Sequence, residues 1–354
     1  MSSMWGNKIR ISLFGESHGP AIGVVIDGLP PGFELNMEQI AAHMRRRAPG
    51  NFPWSTTRKE ADRAEILSGM YNGKTCGTPL AAIIHNTNTR SGDYARFGTT
   101  PRPGHSDLTG HLRYNGANDP RGGGHFSGRI TAPLTFAGAI CMQMLKARGI
   151  TVSAHIYEIA GIRDVEVDES QFPFEVATKD FPVVDDACGL QMQDAIQSAY
   201  AKKDSVGGIV EAVATGFPAG IGNPFFDRVE TRLAAIMMSI PATKGVEIGR
   251  GFDVARSTGS QNNDPIFVDE AGRITRKSNH AGGVEGGISN GMPIVLRCAF
   301  KPTASVGVEQ DSINLETMKN DKLEVHGRHD PCVVPRAVPV VESAMALTLL
   351  DLLQ

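Results

Sequence analysis

The sequence predicts a single α+β domain, residues 1–354, with strands and helices interleaved. Three observations carry this reading. Short runs with two-residue alternation or dense β-branched content recur, as at 7–14, 21–27 and 207–215, the pattern of half-buried or buried strands. Longer apolar runs at 131–148 and 339–353 exceed strand length and read as buried helices. No low-complexity linker or fixed-period repeat interrupts the 354 residues, a length that can bury a sizeable core.

Taken in order, Ile9, Ile11 and Leu13 alternate with polar residues and mark a first strand over 7–14, broken at Gly15 to Gly19. Residues 21–27 form a second strand, ending at Gly28-Leu29-Pro30-Pro31-Gly32. Asn36 with Gln39 resembles a capping box, and Ile40 and Met44 share a helical face. The helix 37–47 closes on Arg45-Arg46-Arg47, where the helix dipole favours cations. Residues 64–71 and 78–85 read as paired strands. Asn72-Gly73 lies between them, although the gap exceeds a two-residue hairpin. Residues 86–130 are polar, rich in Gly, Arg and His, and lack periodicity, a combination that favours function. An apolar helix over 131–148 is closed by Gly149. There follow a strand-and-loop region, a helix near 190–202, a strand over 207–215, and a helix over 228–239 opened by Asp227 and stopped by Pro241. A glycine-rich stretch from Asn279 to Gly291 precedes a strand over 293–300 and Lys301-Pro302-Thr303. The last helix runs from about Pro339 to Leu353.

Composition narrows the function. The net charge is −3, which disfavours a nucleic-acid binder. No apolar run approaches the ~20 residues of a membrane span. Met1 to Arg10 lacks the apolar core of a signal peptide, so a cytoplasmic protein with neither nucleic-acid nor membrane partner is expected. Five scattered cysteines without a C-x-x-C pair fit a reducing compartment. No metal-ligand spacing stands out, and no metal is expected.

Four segments concentrate chemistry. Gly15-Glu16-Ser17-His18-Gly19 fits the G-x-S-x-G of serine hydrolases. That motif needs a following helix, and Pro20 and a β-like run follow instead. His18 in a glycine-flanked loop suits proton transfer better than a core histidine would. Residues 102–129 supply Arg102, His105, Asp107, His111, Arg113, Arg121, His125, Ser127 and Arg129. There Arg121-Gly122-Gly123-Gly124 sets bare backbone beside cations, which suits phosphate or carboxylate, although a solvated loop would look similar. Asn279 to Gly287 is neither a dinucleotide fingerprint nor a P-loop. Gly327-Arg328-His329-Asp330-Pro331-Cys332, with Arg336, places a carboxylate among cations, either as a base or as a structural ion cluster. Together these predict a small, multiply anionic ligand and proton transfer. Arg129 with Pro133, and Arg336 with Pro339, each stand at an apolar helix. This echo fits two helix starts facing one anion, and is short enough to arise by chance.

The ordered set resembles the chorismate synthase family from about residue 6 to residue 350: GESHG, RRRAPG, STTRKEAD, ILSGMYNGKTCGTPLAAII, RPGHSDLTG, RGGGHFSGR, KGVEIGRGFDVA, NHAGGVEGGISNGMPI, KPTAS and GRHDPCVVPRAVPVVE. The resemblance implies a β–α–β sandwich assembled as a homotetramer. It implies a reduced-FMN (FMNH2)-dependent 1,4-anti elimination of phosphate from 5-enolpyruvylshikimate 3-phosphate. It assigns His18 to protonation of the departing phosphate, His105 to the flavin's protonation, and Asp330 to deprotonation, with Ser17 and Ser127 nearby. Arg46, Arg47, Arg129 and Arg336 fall at substrate-anion positions, beside His18. Pro241, Ala242, Gly286, Lys301, Pro302, Thr303, Ala304, Ser305, Arg328, His125, Phe126 and Ser127 fall at flavin positions. No extra nicotinamide-binding segment is evident, so reliance on an external flavin reductant is expected, with reduction of the bound flavin by NADPH left open. The chain departs from the family at His125 and Ile130, where Arg and Glu are usual, and at Ala48, Pro53 and Pro241.

Overall fold

The computed structural model describes residues 3–50, 52, 54–55, 60–87, 96–325 and 329–354. The first half contains β1 (Met4–Trp5), β2 (Arg10–Gly15), β3 (Ala21–Asp27), α1 (Met37–Arg47), β4 (Ala64–Ser68), β5 (Met70–Tyr71), β6 (Lys74–Thr75), β7 (Leu80–His85), α2 (Asp107–Tyr114) and α3 (Thr131–Lys146). The second half contains β8 (Thr151–Ile159), β9 (Ile162–Arg163), α4 (Asp186–Ala201), β10 (Gly208–Thr215), α5 (Val229–Ser239), β11 (Thr243–Ile248), α6 (Gly259–Asn262), β12 (Ile266–Val268), β13 (Ile274–Arg276), β14 (Val284–Glu285), β15 (Ile288–Ser289), β16 (Ile294–Phe300), β17 (Gln310–Asn314), β18 (Lys319–Leu323) and α7 (Val334–Leu352).

Two antiparallel sheets enclose a helical layer. The first has the order β1-β2-β3-β7-β4 and the second β11-β16-β10-β8-β9. α3 packs on β3 and β7 and on α7, while α7 packs on β8 and β10. Helices covered on both sides must be apolar all round, and α3 and α7 are buried along nearly their whole lengths. One apolar core therefore runs from Ile22 and Leu80 of the first sheet through Phe136, Ile140 and Val341 to Ile156, Val210 and Leu296 of the second. This is the α+β sandwich the resemblance implied. The two helices cross at Gly138, where an added Cβ would lie 2.1 Å from Ser343 Cβ.

Several expected boundaries move. The strand expected from residue 7 begins at Arg10, because the N–H groups of Asn7, Lys8 and Ile9 donate to the Asp351 carboxylate at 2.6–3.1 Å. Asn72 and Gly73, at φ 48° and 76°, turn a two-residue hairpin between β5 and β6, while β4 pairs with β7 around it. α4 starts at Asp186, capped by Asp185 accepting from Ala187 N–H at 2.8 Å. α7 starts at Val334, five residues before the expected start, with Pro335 in its first turn, where a missing N–H costs nothing. Within the unperiodic 86–130 stretch the described residues include α2 and short 3-10 segments at 96–98, 121–126 and 128–130.

Candidate active site

The site is organised by a turn that only glycine makes readily. Gly122, Gly123 and Gly124 have φ of 62°, 88° and 54°, left-handed backbone that side chains disfavour. The GESHG loop docks on it: Ser17 N–H donates to Gly124 O at 3.1 Å and Ser17 Oγ to Arg121 O at 3.2 Å. The His18 ring lies against Gly122, where an added Cβ would sit 2.1 Å from Cε1. The His105 ring lies against Gly123, 3.2 Å from such an atom at Nε2, and Ser127 Cβ is 3.8 Å away. Two histidines and two serines distant in sequence thus meet around one turn.

Ser17 Oγ is 3.2 Å from His18 Nδ1. Since the Ser17 hydroxyl also donates to Arg121 O, Oγ is placed to accept from Nδ1–H of His18. Ser17 is fully buried and β3 follows it. This removes the serine-hydrolase reading, which needs an exposed nucleophile at a helix start.

The starts of α3 and α7 meet at the end of α1, and these three ends carry Arg129, Arg336 and Arg47. Arg47 Nε donates to Thr131 Oγ1 at 3.1 Å and Nη2 to Gly128 O at 3.3 Å. Arg336 Nε donates to Arg47 O at 2.9 Å. Arg47 and Arg129 both form ion pairs with Asp62, and Arg129 Nε donates to Asn86 Oδ1 at 3.0 Å. Arg336 pairs with Asp330, whose Oδ1 accepts from Ser55 Oγ at 3.4 Å. Burial would raise the Asp62 carboxyl, but Arg47 and Arg129 outweigh it and hold it below the usual carboxylate range. Burial pushes Arg47 down to about 10, against the pull of Asp62. Asp62 adopts φ +48°, a strained setting that clusters at functional sites. A cavity of about 370 Å³ opens beside it, lined by Ala61–Glu65, His85 and Thr87.

On the other side, His105 leads to the 301–305 segment. Lys301 Nζ donates to Gly104 O, and Arg102 Nη1 to Ser305 Oγ at 3.0 Å. Lys301 N–H donates to Ala242 O at 3.0 Å, joining Pro241-Ala242 to the same edge. Ala242 stands at φ +73°, a second strained non-glycine residue. Thr303 Oγ1 is buried with no hydrogen-bond partner among the described residues, and Pro302 and Ala304 complete the strip.

Other expected residues stand elsewhere. Arg46 is turned to Glu342 in the middle of α7, at 2.5 and 3.0 Å, rather than to Arg47 and Arg336. His125 ties the N-terminal strand: Nδ1–H donates to Gly15 O at 2.8 Å and Nε2 accepts from Ser3 Oγ at 2.8 Å. Phe126 packs beside Tyr114 of α2, and Ser127 caps the next turn by accepting from Arg129 N–H at 3.2 Å. Gly286 lies in the exposed β14–β15 turn. Arg328 lies outside the described residues. Asp62 and Glu60 are the residues that sequence reasoning missed. Their signal was available, since arginines that are to be buried require carboxylates nearby.

Comparisons with known proteins agree along the whole chain. The chorismate synthase family model matches residues 9–354. Chorismate synthase from Dehalococcoides mccartyi is 44% identical over 352 residues, covering 99% of this chain and 96% of the relative. That from Korarchaeum cryptofilum is 45% identical over 350 residues, covering 98% and 96%. A crystal structure of chorismate synthase superposes with a TM-score of 0.74 at 30% identity, covering 99% of this chain and 92% of that one. Glycine turn, histidine pair and arginine cluster are thus features of a chain that belongs to the chorismate synthase family.

Proposed function

We propose that the chain converts 5-enolpyruvylshikimate 3-phosphate to chorismate by a reduced-FMN-dependent 1,4-anti elimination. The reaction is redox-neutral overall: the C–O bond to phosphate breaks, phosphate leaves with the electron pair, and C6 loses a proton. The observation that most supports this reading is the glycine turn that sets His18 and His105 side by side, next to the arginines at the two helix starts. Arg47, Arg129 and Arg336 bind and orient the substrate's anionic groups, aided by the positive helix ends. His18, held by Ser17 at Nδ1, is the proton donor to the departing phosphate and must enter the step as the imidazolium. Asp330, held by Arg336 and Ser55, is the carboxylate assigned to the deprotonation.

The residues present fit a flavin bearing a phosphate. Buried Thr303 Oγ1 lacks a partner among the described residues, and Lys301 beside Gly104 supplies positive charge. Pro241-Ala242 and Lys301 to Ser305 would hold it, with His105 and Ser127 alongside. When bound, reduced FMN supplies a transient electron and a proton-accepting nitrogen that no side chain can replace. Arg46, fixed on Glu342, orients α1 against α7 and reaches substrate only if that pair opens. The family resemblance also supports a homotetramer, an external reductant and a cytoplasmic setting. Among the described residues no helix is long and apolar enough to cross a membrane.

The test is anaerobic turnover with dithionite-reduced FMN, following chorismate and phosphate together. Stoichiometric products that require reduced flavin support the proposal. Flavin binding without chorismate would reject the reaction, and absence of both binding and turnover would reject the cofactor as well.

A further inference from the structure

We propose that Asp107 is a positioning residue for His105: it fixes the ring proton on Nδ1 and keeps Nε2 as the acceptor beside the glycine turn. The inference rests on the reading of His105 as an acid–base group. Asp107 opens α2, where a carboxylate is favoured by the helix dipole, and its side chain is only 4% exposed. Its Oδ2 accepts from Arg102 Nε at 2.7 Å and from Arg102 N–H at 3.0 Å. Its Oδ1 accepts from Arg102 Nη2 at 2.8 Å and lies 2.6 Å from His105 Nδ1.

Three groups stand at that nitrogen, and the most distant, Ser106 Oγ at 3.5 Å, can either donate or accept. Arg102 Nη2, at 3.2 Å, is a donor and would need Nδ1 bare. Asp107 Oδ1, at 2.6 Å, is an acceptor and needs Nδ1–H. The shorter, charge-assisted contact decides for Nδ1–H, and the arginine donor already has Asp107 as its acceptor. His105 Nε2 then carries the lone pair, on the Cε1–Nε2 edge of the ring that meets Gly123. An imidazole oriented this way accepts a proton at Nε2, and the carboxylate behind it stabilises the resulting cation.

The charged groups facing His105 are Arg102, Asp107 and Lys301, with Ser106 Oγ 3.5 Å from Nδ1. Burial lowers the imidazole below its ordinary value, Arg102 and Lys301 add to this, and Asp107 opposes it. Asp107 itself is held well below the carboxylate range: burial would raise it, but Arg102 and His105 outweigh that. Without Asp107, nothing balances Arg102 and Lys301. Nδ1 would go bare to accept from Arg102, and the proton would move to Nε2.

The experiment compares Asp107→Asn, Asp107→Glu, His105→Ala and the double variant His105→Ala/Asp107→Asn in the full chain with reduced FMN. Asp107→Asn is expected to lower kcat by about 10²-fold, leave KM within a few-fold, and move the His105 limb of the pH–rate profile to lower pH. Adding it to His105→Ala should cost nothing further, since the residue acts through that ring. Asp107→Glu keeps the charge Arg102 needs, so it should fold even if Asp107→Asn does not. It is expected to lose turnover at unchanged KM, with a pH profile nearer the parent's. Parental kcat in Asp107→Glu together with an unshifted profile in Asp107→Asn overturns the inference. So does a full additive loss in the double variant. If His105→Ala retains parental turnover, the acid–base reading of His105 has failed and takes this inference with it. If His105→Ala is crippled and Asp107→Asn is not, the inference alone has failed.

Discussion

Replacing Gly122 by alanine tests whether the glycine turn sets the position of His18. The new Cβ would lie 2.1 Å from His18 Cε1, 2.2 Å from Nδ1 and 2.8 Å from Ser17 Oγ. Ordinary contact would require the ring to retreat by more than an ångström, and His18 is only 7% exposed, with Ser17 on its Nδ1. A displacement of that size costs on the order of 10²-fold in rate. The φ of +62° adds a backbone penalty of about 1–2 kcal/mol. Gly149→Ala is the control, because its φ is +79° and nothing lies within 4 Å of its added Cβ. Both variants should lose similar backbone stability by urea unfolding, and only Gly122→Ala should lose kcat. Parental kcat in a folded Gly122→Ala, or equal losses in both variants, would refute the argument that this turn positions His18.

Gly138→Ala should overpack the α3–α7 crossing, where the added atom meets Ser343 Cβ at 2.1 Å, and destabilise by about 1–3 kcal/mol or more in urea titration. Asp62→Asn suits the φ of +48° but leaves Arg47 without its counter-charge and Arg129 with only Glu60, at 3.8 Å; a loss of about 3–5 kcal/mol is expected, and a change below about 1 kcal/mol would contradict a buried ion cluster. Burial pushes His43 down to about 4 against the pull of Glu342. Its contribution is therefore complete above pH ~6.5 and lost as pH falls toward 4, up to about 3 kcal/mol, and His43→Gln should flatten that part of the stability curve. His155 has the opposite sign: burial would lower it, but Asp164 and Glu211 outweigh burial and raise it. Its contribution is present below pH ~6.5 and lost as pH rises through the raised value, so a parental alkaline stability curve in His155→Gln would refute the role of these pairs.

Local signals carried β3 and α1 to their observed ends, because alternation, a capping asparagine and a terminal glycine or proline act within a few residues. The late start of β2 was illegible, since its cause, Asp351, lies at the far end of the chain. β11 escaped notice because its residues, Thr243 to Ile248, mix Lys, Gly and Glu with few apolar positions, and pairing with β16 decides the conformation. The site followed the same division. GESHG, RPGH and RGGGH were recognisable as chemistry, but only the folded chain shows that Gly122 and Gly123 separate their histidines. Arg46 was read with its neighbour Arg47 because adjacent residues look equivalent in sequence. On a helix they point about 100° apart, and Arg46 meets Glu342 while Arg47 meets Asp62.

The carboxylates among these arginines explain how an anion site can be held in a near-neutral, apolar layer. Guanidinium groups at the end of α1 and the starts of α3 and α7 would be prohibitive to bury unpaired. Asp62 and Asp330 neutralise them, yet consume only part of their donors. Arg47 has five N–H groups, and its described bonds go to Thr131, Asp62 and Gly128 O. The remaining donors are held in orientation by the bonds already made. An anionic ligand then meets pre-aimed N–H groups rather than mobile side chains, and the ordering cost is met on folding instead of on binding. Selectivity follows from the same arrangement. On the proposed function, a monoanion would gain little over the carboxylates already present, whereas a ligand with several anionic groups would engage Arg47, Arg129 and Arg336 together. The site should therefore discriminate by the number and spacing of anionic groups, more than by the apolar frame that joins them.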